Sequence, residues 1–243
     1  MMMRLSLSLG LLAGTLVLTS SPAARAQRVL LHATPATDSM EVRRGPNRAV
    51  FRHLYLGYAP VVGRAAGPGA DLRYGSSGEF LLGLRHKFRL SQTLALGIDA
   101  RYVRLVYQLR QNDQKILPTP TQHHSESLAL PQLQLEPYVR LNVGRRGNVV
   151  GRYLDLAAWG GWVTSTAHRY EDRPGSSGAA RTQVVNRGLP YLNRWPYGLG
   201  GRLGSGRYAA VARYRLSDAF TGEARQRYPE LPRWVLGLEL GLF

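Results

Sequence analysis

Three residues of the chain have the types that a nucleophilic hydrolase uses: Ser125, His123 and Glu136. In such a site Ser125 would attack, His123 would accept its proton and Glu136 would orient the imidazole ring. Ser125 and His123 share parity, so a strand would place them on one face. Glu136 has the opposite parity and lies more than about 30 Å of extended strand away. A lipid A-modifying hydrolase is therefore a remote alternative, and we predict no catalytic residue.

Ligands for a metal or a cofactor are equally sparse. His123 and His124 lie near Glu126, but no further ligand clusters with them in the sequence. The chain contains no Cys, which excludes thiolate metal sites, Cys nucleophiles and disulfide bonds. The glycine-rich run 198–204 lacks the spacing and the strand–turn–helix context of a dinucleotide-binding loop. We therefore predict neither a metal nor a cofactor.

The charged residues of the chain are strongly unbalanced. Lys and Arg total 32 against 15 Asp and Glu, a formal charge of +17, and all the basic residues except Lys87 and Lys115 are arginine. Such a balance suggests nucleic-acid binding, yet the sequence shows no basic stripe or tail. Instead, charges recur at alternate positions of strand-like segments, opposite the apolar residues. The set predicted to face a common interior is Arg85, Asp99, Arg101, Glu136, Arg140, Asp155, Arg202, Arg213 and Glu239.

Eight segments with alternating apolar and polar residues carry this set. In the last segment every second residue from Trp234 to Leu242 is large and apolar, while Gly237, Glu239 and Gly241 lie between them. Such period-two alternation indicates strands with one apolar face. The segments are 50–60, 80–88, 94–106, 133–141, 154–162, 191–203, 208–216 and 234–242. We therefore predict an all-β fold, an eight-stranded antiparallel up-and-down transmembrane β-barrel.

The connections between the segments bear on the setting of this barrel. Long and short connections alternate strictly along the chain. The long ones are 61–77, 109–125, 167–190 and 218–231, and the short ones are 89–93, 143–148 and 204–206. A transmembrane barrel has long loops at its outer end, short turns at the other, and an apolar outer face. The alternative is a soluble periplasmic lipocalin-like barrel with apolar residues around an apolar ligand. Nothing in such a barrel requires long loops at one end and short turns at the other.

Residues 1–26 have the pattern of a cleaved signal peptide. A basic start, an apolar stretch and the small residues Ala24 and Ala26 match the signal that signal peptidase reads. Residues 27–49, without periodicity, are predicted to be a periplasmic lead-in to a barrel domain at 50–243. After the signal peptide no apolar run is long enough for a spanning helix, which leaves a soluble exported domain or a closed barrel.

Five stretches carry structural rather than catalytic motifs. They are SLALPQL at 127–133, YLDLAAWGGW at 153–162, YRLSDAF at 214–220, YPELP at 228–232 and LGLELGLF at 236–243. These stretches resemble the small outer-membrane β-barrel proteins of Bacteroidota, the porin-like, PorT-type family. The resemblance implies a barrel in the outer membrane of a Gram-negative bacterium, with a role in envelope structure, surface contact or secretion.

The last strand is expected to carry the signal for barrel assembly. Such signals usually place the terminal aromatic residue on the same face as the preceding alternate residues, whereas Phe243 is out of phase with the leucines. Either a kink at Phe243 restores the phase, or recognition depends mainly on the leucines. The predicted assembly residues are Trp234, Leu236, Leu238, Leu240, Leu242 and Phe243.

These patterns predict a non-enzymatic cell outer membrane protein. An eight-stranded barrel is just wide enough for side chains to fill its lumen, so the charged set is expected to act as an internal network of ion pairs. The expected partners are outer-membrane lipids, the barrel-insertion machinery and a protein of the cell surface or of a secretion system. Nucleic acid is not among them.

Overall fold

A computed structural model of the chain describes residues 45–144 and 147–243. The predicted signal peptide, 1–26, and the predicted lead-in as far as residue 44 lie outside the described residues. Within the described ranges, no helix is both long enough and apolar enough to cross a membrane.

Ten β-strands make up most of the regular structure of the described residues. A single α-helical turn, α1 (Ala224–Arg227), precedes the last strand. The strands are β1 (Val50–Val62), β2 (Gly78–Arg89), β3 (Leu94–Gln108), β4 (Ser125–Val143), β5 (Arg152–Val163), β6 (Ala167–Asp172), β7 (Thr182–Arg187), β8 (Tyr197–Ser205), β9 (Tyr208–Arg215) and β10 (Trp234–Leu242). The predicted all-β fold is confirmed.

Eight of these strands close into an antiparallel barrel. From β1 to β5 each strand pairs with the next, β5 then pairs with β8, and β8, β9 and β10 follow in order. β10 returns to β1, where Leu54 lies opposite Leu242 and Leu56 opposite Leu240. Closure gives each barrel strand a neighbour on both sides, so the barrel itself has no free edge. The predicted eight-stranded antiparallel barrel is confirmed.

The link 167–190, predicted as a long loop, contains a hairpin formed by β6 and β7. β6 pairs with the first part of β4, Ser125–Ala129, and β7 pairs with β6. The hairpin forms here because β4 begins well before the predicted segment 133–141, so its first residues extend beyond the end of β5 and need other backbone partners. Exposed residues on both faces of β7 explain why no apolar alternation indicated it.

The strand predicted at 191–203 begins later, because local hydrogen bonds hold the preceding residues in a turn. Asn193 Oδ1 accepts a 2.9 Å hydrogen bond from the backbone of Trp195, and Asn193 Nδ2 donates to Asp218 O at 3.0 Å. Pro196 then has no backbone N–H for a strand ladder. β8 therefore starts at Tyr197, and Asn193 joins the two loops at this end of the barrel.

The outer and inner faces of the barrel wall differ in polarity. On the outside, Leu54, Leu156 and Leu238 are 51%, 59% and 68% exposed. The outward positions of the eight barrel strands hold no Asp or Glu. On the inside, charged side chains are buried, and Asp99 and Asp155 are 0% exposed. The wall is therefore largely apolar and without acidic residues outside, and charged inside.

Apolar side chains from the long connections and the adjoining strand ends pack together over one end of the barrel, and we call this cluster the cap. It joins loops that are far apart in sequence, so it depends on the closed barrel to bring them together. Its buried members include Leu72, Leu109, Leu117, Leu128, Leu189, Leu192, Phe220 and Leu231. The cap covers the end of the lumen from which the long connections emerge.

Residues 45–49 lie across the opposite end of the barrel, where the short turns are. The side chain of Asn47 donates hydrogen bonds to Gly147 O at 3.1 Å and to Gln92 Oε1 at 3.4 Å, which joins two of these turns. Lys87 Nζ donates to Pro46 O at 2.5 Å. The first described residues thus cover the second end of the lumen.

Candidate functional site

The nine residues predicted to face the interior lie together in the lumen. None is more than 3% exposed. Since water cannot solvate charges at such burial, each one needs a partner of opposite sign. They are Arg85 on β2, Asp99 and Arg101 on β3, Glu136 and Arg140 on β4, Asp155 on β5, Arg202 on β8, Arg213 on β9 and Glu239 on β10.

Asp99 accepts hydrogen bonds from three directions. Its Oδ2 atom accepts from Arg85 Nη2 at 2.8 Å, from Tyr55 Oη at 3.2 Å and from Arg202 Nη1. Arg85 Nη2 also donates to Glu239 Oε2 at 2.7 Å. Side chains from five strands are therefore joined across the lumen by charge-assisted hydrogen bonds, which are stronger than neutral ones.

Arg213 connects Glu239 with two further carboxylates. It donates to Glu239 Oε1 at 2.5 Å and to Glu79 Oε1 at 2.8 Å, and its Nε atom lies 3.4 Å from Glu136 Oε2. Arg101 Nη1 donates to the same oxygen of Glu136 at 2.5 Å. The groups around Asp99 and Glu136 are thus one continuous network.

Arg202 extends this network to Asp155 and Arg140. Asp155 receives a bidentate pair from Arg140, with distances of 2.7 and 2.8 Å. Arg202 Nε lies 3.0 Å from Asp155 Oδ2, and Arg202 Nη1 lies 3.3 Å from Glu136 Oε1. We call the nine predicted residues and Glu79 the lumen network. It contains five arginines and five carboxylates, so their formal charges cancel.

Glu79 is the member of the network that the sequence reasoning missed. It is 5% exposed and lies one residue before the predicted segment 80–88. Its parity is that of Arg85, so an alternation extended by one residue would have placed it inside.

Inward tyrosines lie flat against glycines of the neighbouring strands. Gly97 pairs with Tyr138, and a Cβ atom at Gly97 would lie 2.2 Å from the Tyr138 ring. Gly204 pairs with Tyr153, and a Cβ atom there would lie 2.0 Å from that ring. Only glycine leaves room for rings this close to the wall.

Arginines of the lumen network lie over the ring faces that the glycines do not cover. The guanidinium carbon of Arg140 is 3.6 Å from the ring centre of Tyr153, and that of Arg202 is 4.6 Å from the ring centre of Tyr138. Arginine is attracted to the negative face of an aromatic ring, more strongly where water is excluded. From the wall toward the centre of the lumen, the layers are therefore glycine, then tyrosine, then arginine.

Gly97→Ala tests this layering. The added methyl group would occupy the position of the Tyr138 ring, and we expect it to lower the free energy of unfolding by about 1–3 kcal/mol. Denaturant unfolding in detergent, followed by tryptophan fluorescence, measures the change. The matched control is Gly201→Ala on the outward side of β8, where the nearest atom to a Cβ is Asp155 O at 3.7 Å. Equal losses at the two positions would contradict the prediction.

A small cavity of about 50 Å³ lies between the lumen network and the cap. Glu79, Gln134 and Arg213 line it from the lumen, and Leu192 and Leu231 line it from the cap. Its volume has room for a few water molecules at most. It separates the ionic and apolar layers of the interior and does not offer space for a larger ligand.

A second buried ionic cluster lies beside the β6–β7 hairpin, beyond the apolar part of the outer wall. Glu126 Oε2 lies 2.6 Å from Lys115 Nζ, and Glu126 Oε1 lies 2.6 Å from His168 Nε2. Burial acts to raise the pKa of Glu126, but hydrogen bonds from His168, Lys115 and Gln111 outweigh it, and the pKa lies below its usual value. This cluster could not be predicted from the sequence, because Lys115 in a connection and His168 on β6 approach Glu126 only in the folded chain.

Two of the three residues considered for hydrolysis have other partners. His123 Nδ1 lies 2.8 Å from Asp172 Oδ1, whereas Glu136 lies in the lumen network. Ser125 and Glu136 are far apart on the same strand and have opposite parity, so the structure does not assemble them with His123. Among the described residues no group of three or more His, Asp or Glu side chains could hold a metal ion.

The predicted assembly residues occupy alternate positions along the whole of β10 and the residue after it. Phe243 does not return to the outer face. Its ring centre lies 5.5 Å from that of Phe51 and 5.0 Å from that of His53, and both partners are buried inside the barrel. Trp234, Leu236, Leu238, Leu240 and Leu242 have the outward parity of β10. Thus no kink restores the phase of Phe243, and recognition by the insertion machinery stays a prediction.

The fold and the interior define a class, a closed eight-stranded β-barrel whose lumen is filled by an ionic network. No protein-family model matches this chain, and no curated protein matches it. The resemblance to the PorT-type barrels of Bacteroidota therefore stays a prediction.

Proposed function

We propose that the protein is a non-enzymatic β-barrel of the bacterial outer membrane, with a role in envelope structure, surface contact or secretion support. The polarity of the wall carries this proposal. Large apolar residues such as Leu238 face outward, while every charge of the lumen network faces inward. A transmembrane barrel has this sidedness, and a lipocalin-like barrel that encloses an apolar ligand has the reverse.

Outward aromatic residues support a membrane boundary near the end that the cap covers. Tyr214 lies opposite Trp234, at a position where the strands approach the long connections. Aromatic side chains are enriched at membrane–water interfaces because they have an apolar body and a polar edge. This placement supports an orientation with the cap outside the cell and the short turns in the periplasm.

The filled lumen supports a structural or binding role rather than diffusion of solutes. The lumen network crosses the barrel from wall to wall, and the cap and residues 45–49 cover its two ends. We therefore assign the partners to the outside of the barrel. They are outer-membrane lipids along the wall, the insertion machinery during assembly, and a protein of the cell surface or a secretion system at the long connections.

Fractionation of a Gram-negative host that expresses the full chain tests this proposal. We expect the protein in the outer-membrane fraction, extracted only by detergent, and with faster migration in unboiled than in boiled gel samples. Closed membrane barrels resist unfolding by cold detergent, which causes that difference in migration. Recovery as a folded protein in buffer without detergent would overturn the proposal and favour the soluble lipocalin-like barrel.

A further inference from the structure

A groove of about 920 Å³ runs along the outer wall over β5. Its volume falls within the ~300–1,000 Å³ of sites that bind small molecules. Nearly all of its lining is apolar or aromatic, in contrast to the lumen on the other side of the same wall. Its outward lining includes Tyr102, Leu135, Gly160, Trp162, Trp195 and Tyr197.

A missing side chain creates the groove. Gly160 on β5 pairs with Leu135 on one side and with Tyr197 on the other, so the smallest residue lies between two large ones. A Cβ atom at Gly160 would meet nothing within 4 Å. The backbone there does not need glycine to avoid a clash, and a larger side chain would simply fill the groove.

Two tryptophans close the end of the groove that lies nearer the cap. The ring centres of Trp162 and Trp195 are 6.5 Å apart, with an angle of 25° between the rings. Trp195 is 67% exposed, which is unusual for so large an apolar side chain in water. At a membrane interface this exposure is favourable, because the indole ring lies against acyl chains and its N–H remains near the headgroups.

Two exposed arginines lie just beyond the tryptophans. Arg104 pairs with Pro131, one outward position beyond the row that Tyr102 forms with Leu133. Arg194 directly precedes Trp195, and its carbonyl accepts a 2.9 Å hydrogen bond from the backbone of Val163. The register and the sequence therefore place two arginines next to the tryptophan end of the groove, and the guanidinium fork suits phosphate.

We propose that this groove binds one acyl chain of a phosphorylated glycolipid of the outer leaflet, of the lipid A type, whose phosphates contact Arg104 and Arg194. The inference rests on the proposed membrane setting, with the cap outside. A second copy of the chain would cover the apolar groove, but the outward positions of its barrel strands hold no Asp or Glu to pair with the two arginines. A lipid with a phosphorylated headgroup matches both the apolar slot and the charge at its mouth.

Native mass spectrometry of the detergent-solubilised protein tests the proposal. The probes are diphosphorylated lipid A, its dephosphorylated form and phosphatidylethanolamine. We expect one bound diphosphorylated lipid A per chain, and about tenfold weaker binding for Gly160→Leu, equivalent to ~1.4 kcal/mol. Arg104→Ala with Arg194→Ala should weaken binding of the diphosphorylated lipid and leave the weaker binding of its dephosphorylated form unchanged.

Two variants provide matched controls. Gly201→Leu adds the same side chain to an outward glycine of β8, where the atom nearest to a Cβ is Asp155 O at 3.7 Å. Arg52→Ala removes an outward arginine of β1 near the opposite end of the wall. Both should retain lipid A, and heat-modifiable migration of each variant verifies its fold.

The outcomes separate this inference from the proposed function. Equal binding by the wild type and Gly160→Leu would overturn the groove as the site. Equal binding of the two lipid A forms by the wild type would overturn the role of the arginines, and a lipid-free dimer would assign the groove to a second copy. If the protein needs detergent but binds no lipid A, only this inference fails; if it is soluble without detergent, the proposed function fails too.

Discussion

Replacement of Glu239 by leucine is expected to lower the free energy of unfolding of the barrel by about 3–5 kcal/mol. Glu239 accepts hydrogen bonds from Arg85 at 2.7 Å and from Arg213 at 2.5 Å, and none of the three side chains is more than 4% exposed. Without this carboxylate the lumen would hold an excess positive charge that water cannot reach. Denaturant unfolding in detergent, compared with the wild type, measures the loss.

Two further variants show whether the charge or the shape of Glu239 matters. Glu239→Gln keeps the size and one acceptor oxygen, so its loss should be smaller than that of Glu239→Leu. Adding Arg213→Met to Glu239→Leu should restore part of the stability, because removing both members of a buried pair costs less than removing one. Unchanged unfolding of Glu239→Leu would contradict an ionic network that stabilises the barrel.

Glu136→Leu provides an independent test at another point of the same network. Glu136 lies 2.5 Å from Arg101 and 3.3 Å from Arg202. Arg213 connects Glu136 to the part of the network around Glu239. The loss should again be several kcal/mol, since the remaining arginines stay buried. A loss at Glu239 without one at Glu136 would restrict the stabilising part of the network to the neighbourhood of Arg85.

The inward residues could be predicted because a strand ties the parity of a residue number to one face of the wall. Asp99 and Arg101 differ by two positions, and so they had to face the same side whatever the register of their strand. Glu79 was missed only because the predicted start of its strand was too late. The eight-stranded barrel could be predicted from the same alternation, together with the strict alternation of long and short connections along the chain.

The cap could not be predicted in this way, because loops have no repeating relation between sequence and direction. Leu117 and Leu231 lie in different connections and meet in the cap only after the barrel has brought those connections together. The hairpin β6–β7 depends on the unpaired start of β4, which is a property of the neighbouring strand and not of residues 167–187 themselves. The contact between Tyr138 and Gly97 needed the register as well as the parity.

Leu238→Arg distinguishes a barrel that lies in a membrane from one that is soluble. In lipid vesicles we expect this change to lower the free energy of unfolding by about 2–4 kcal/mol. Leu238 lies near the middle of β10, pairs with Tyr58 and Ala210, and is 68% exposed. If the wall faces hydrocarbon, the new charge must leave water or distort the bilayer around it. If the wall faced water, the same exposed change would stay within about 0.5 kcal/mol.

Leu90→Arg is the matched control for this experiment, since Leu90 is 59% exposed but lies just after β2 at a short turn. A charge there remains in water or among headgroups in either setting, so little change is expected. A large loss at Leu238 and a small one at Leu90 would support hydrocarbon around the middle of the wall and water at its end. Small losses at both positions would mean that water surrounds the wall, and the exposed leucines would then need a different partner to cover them.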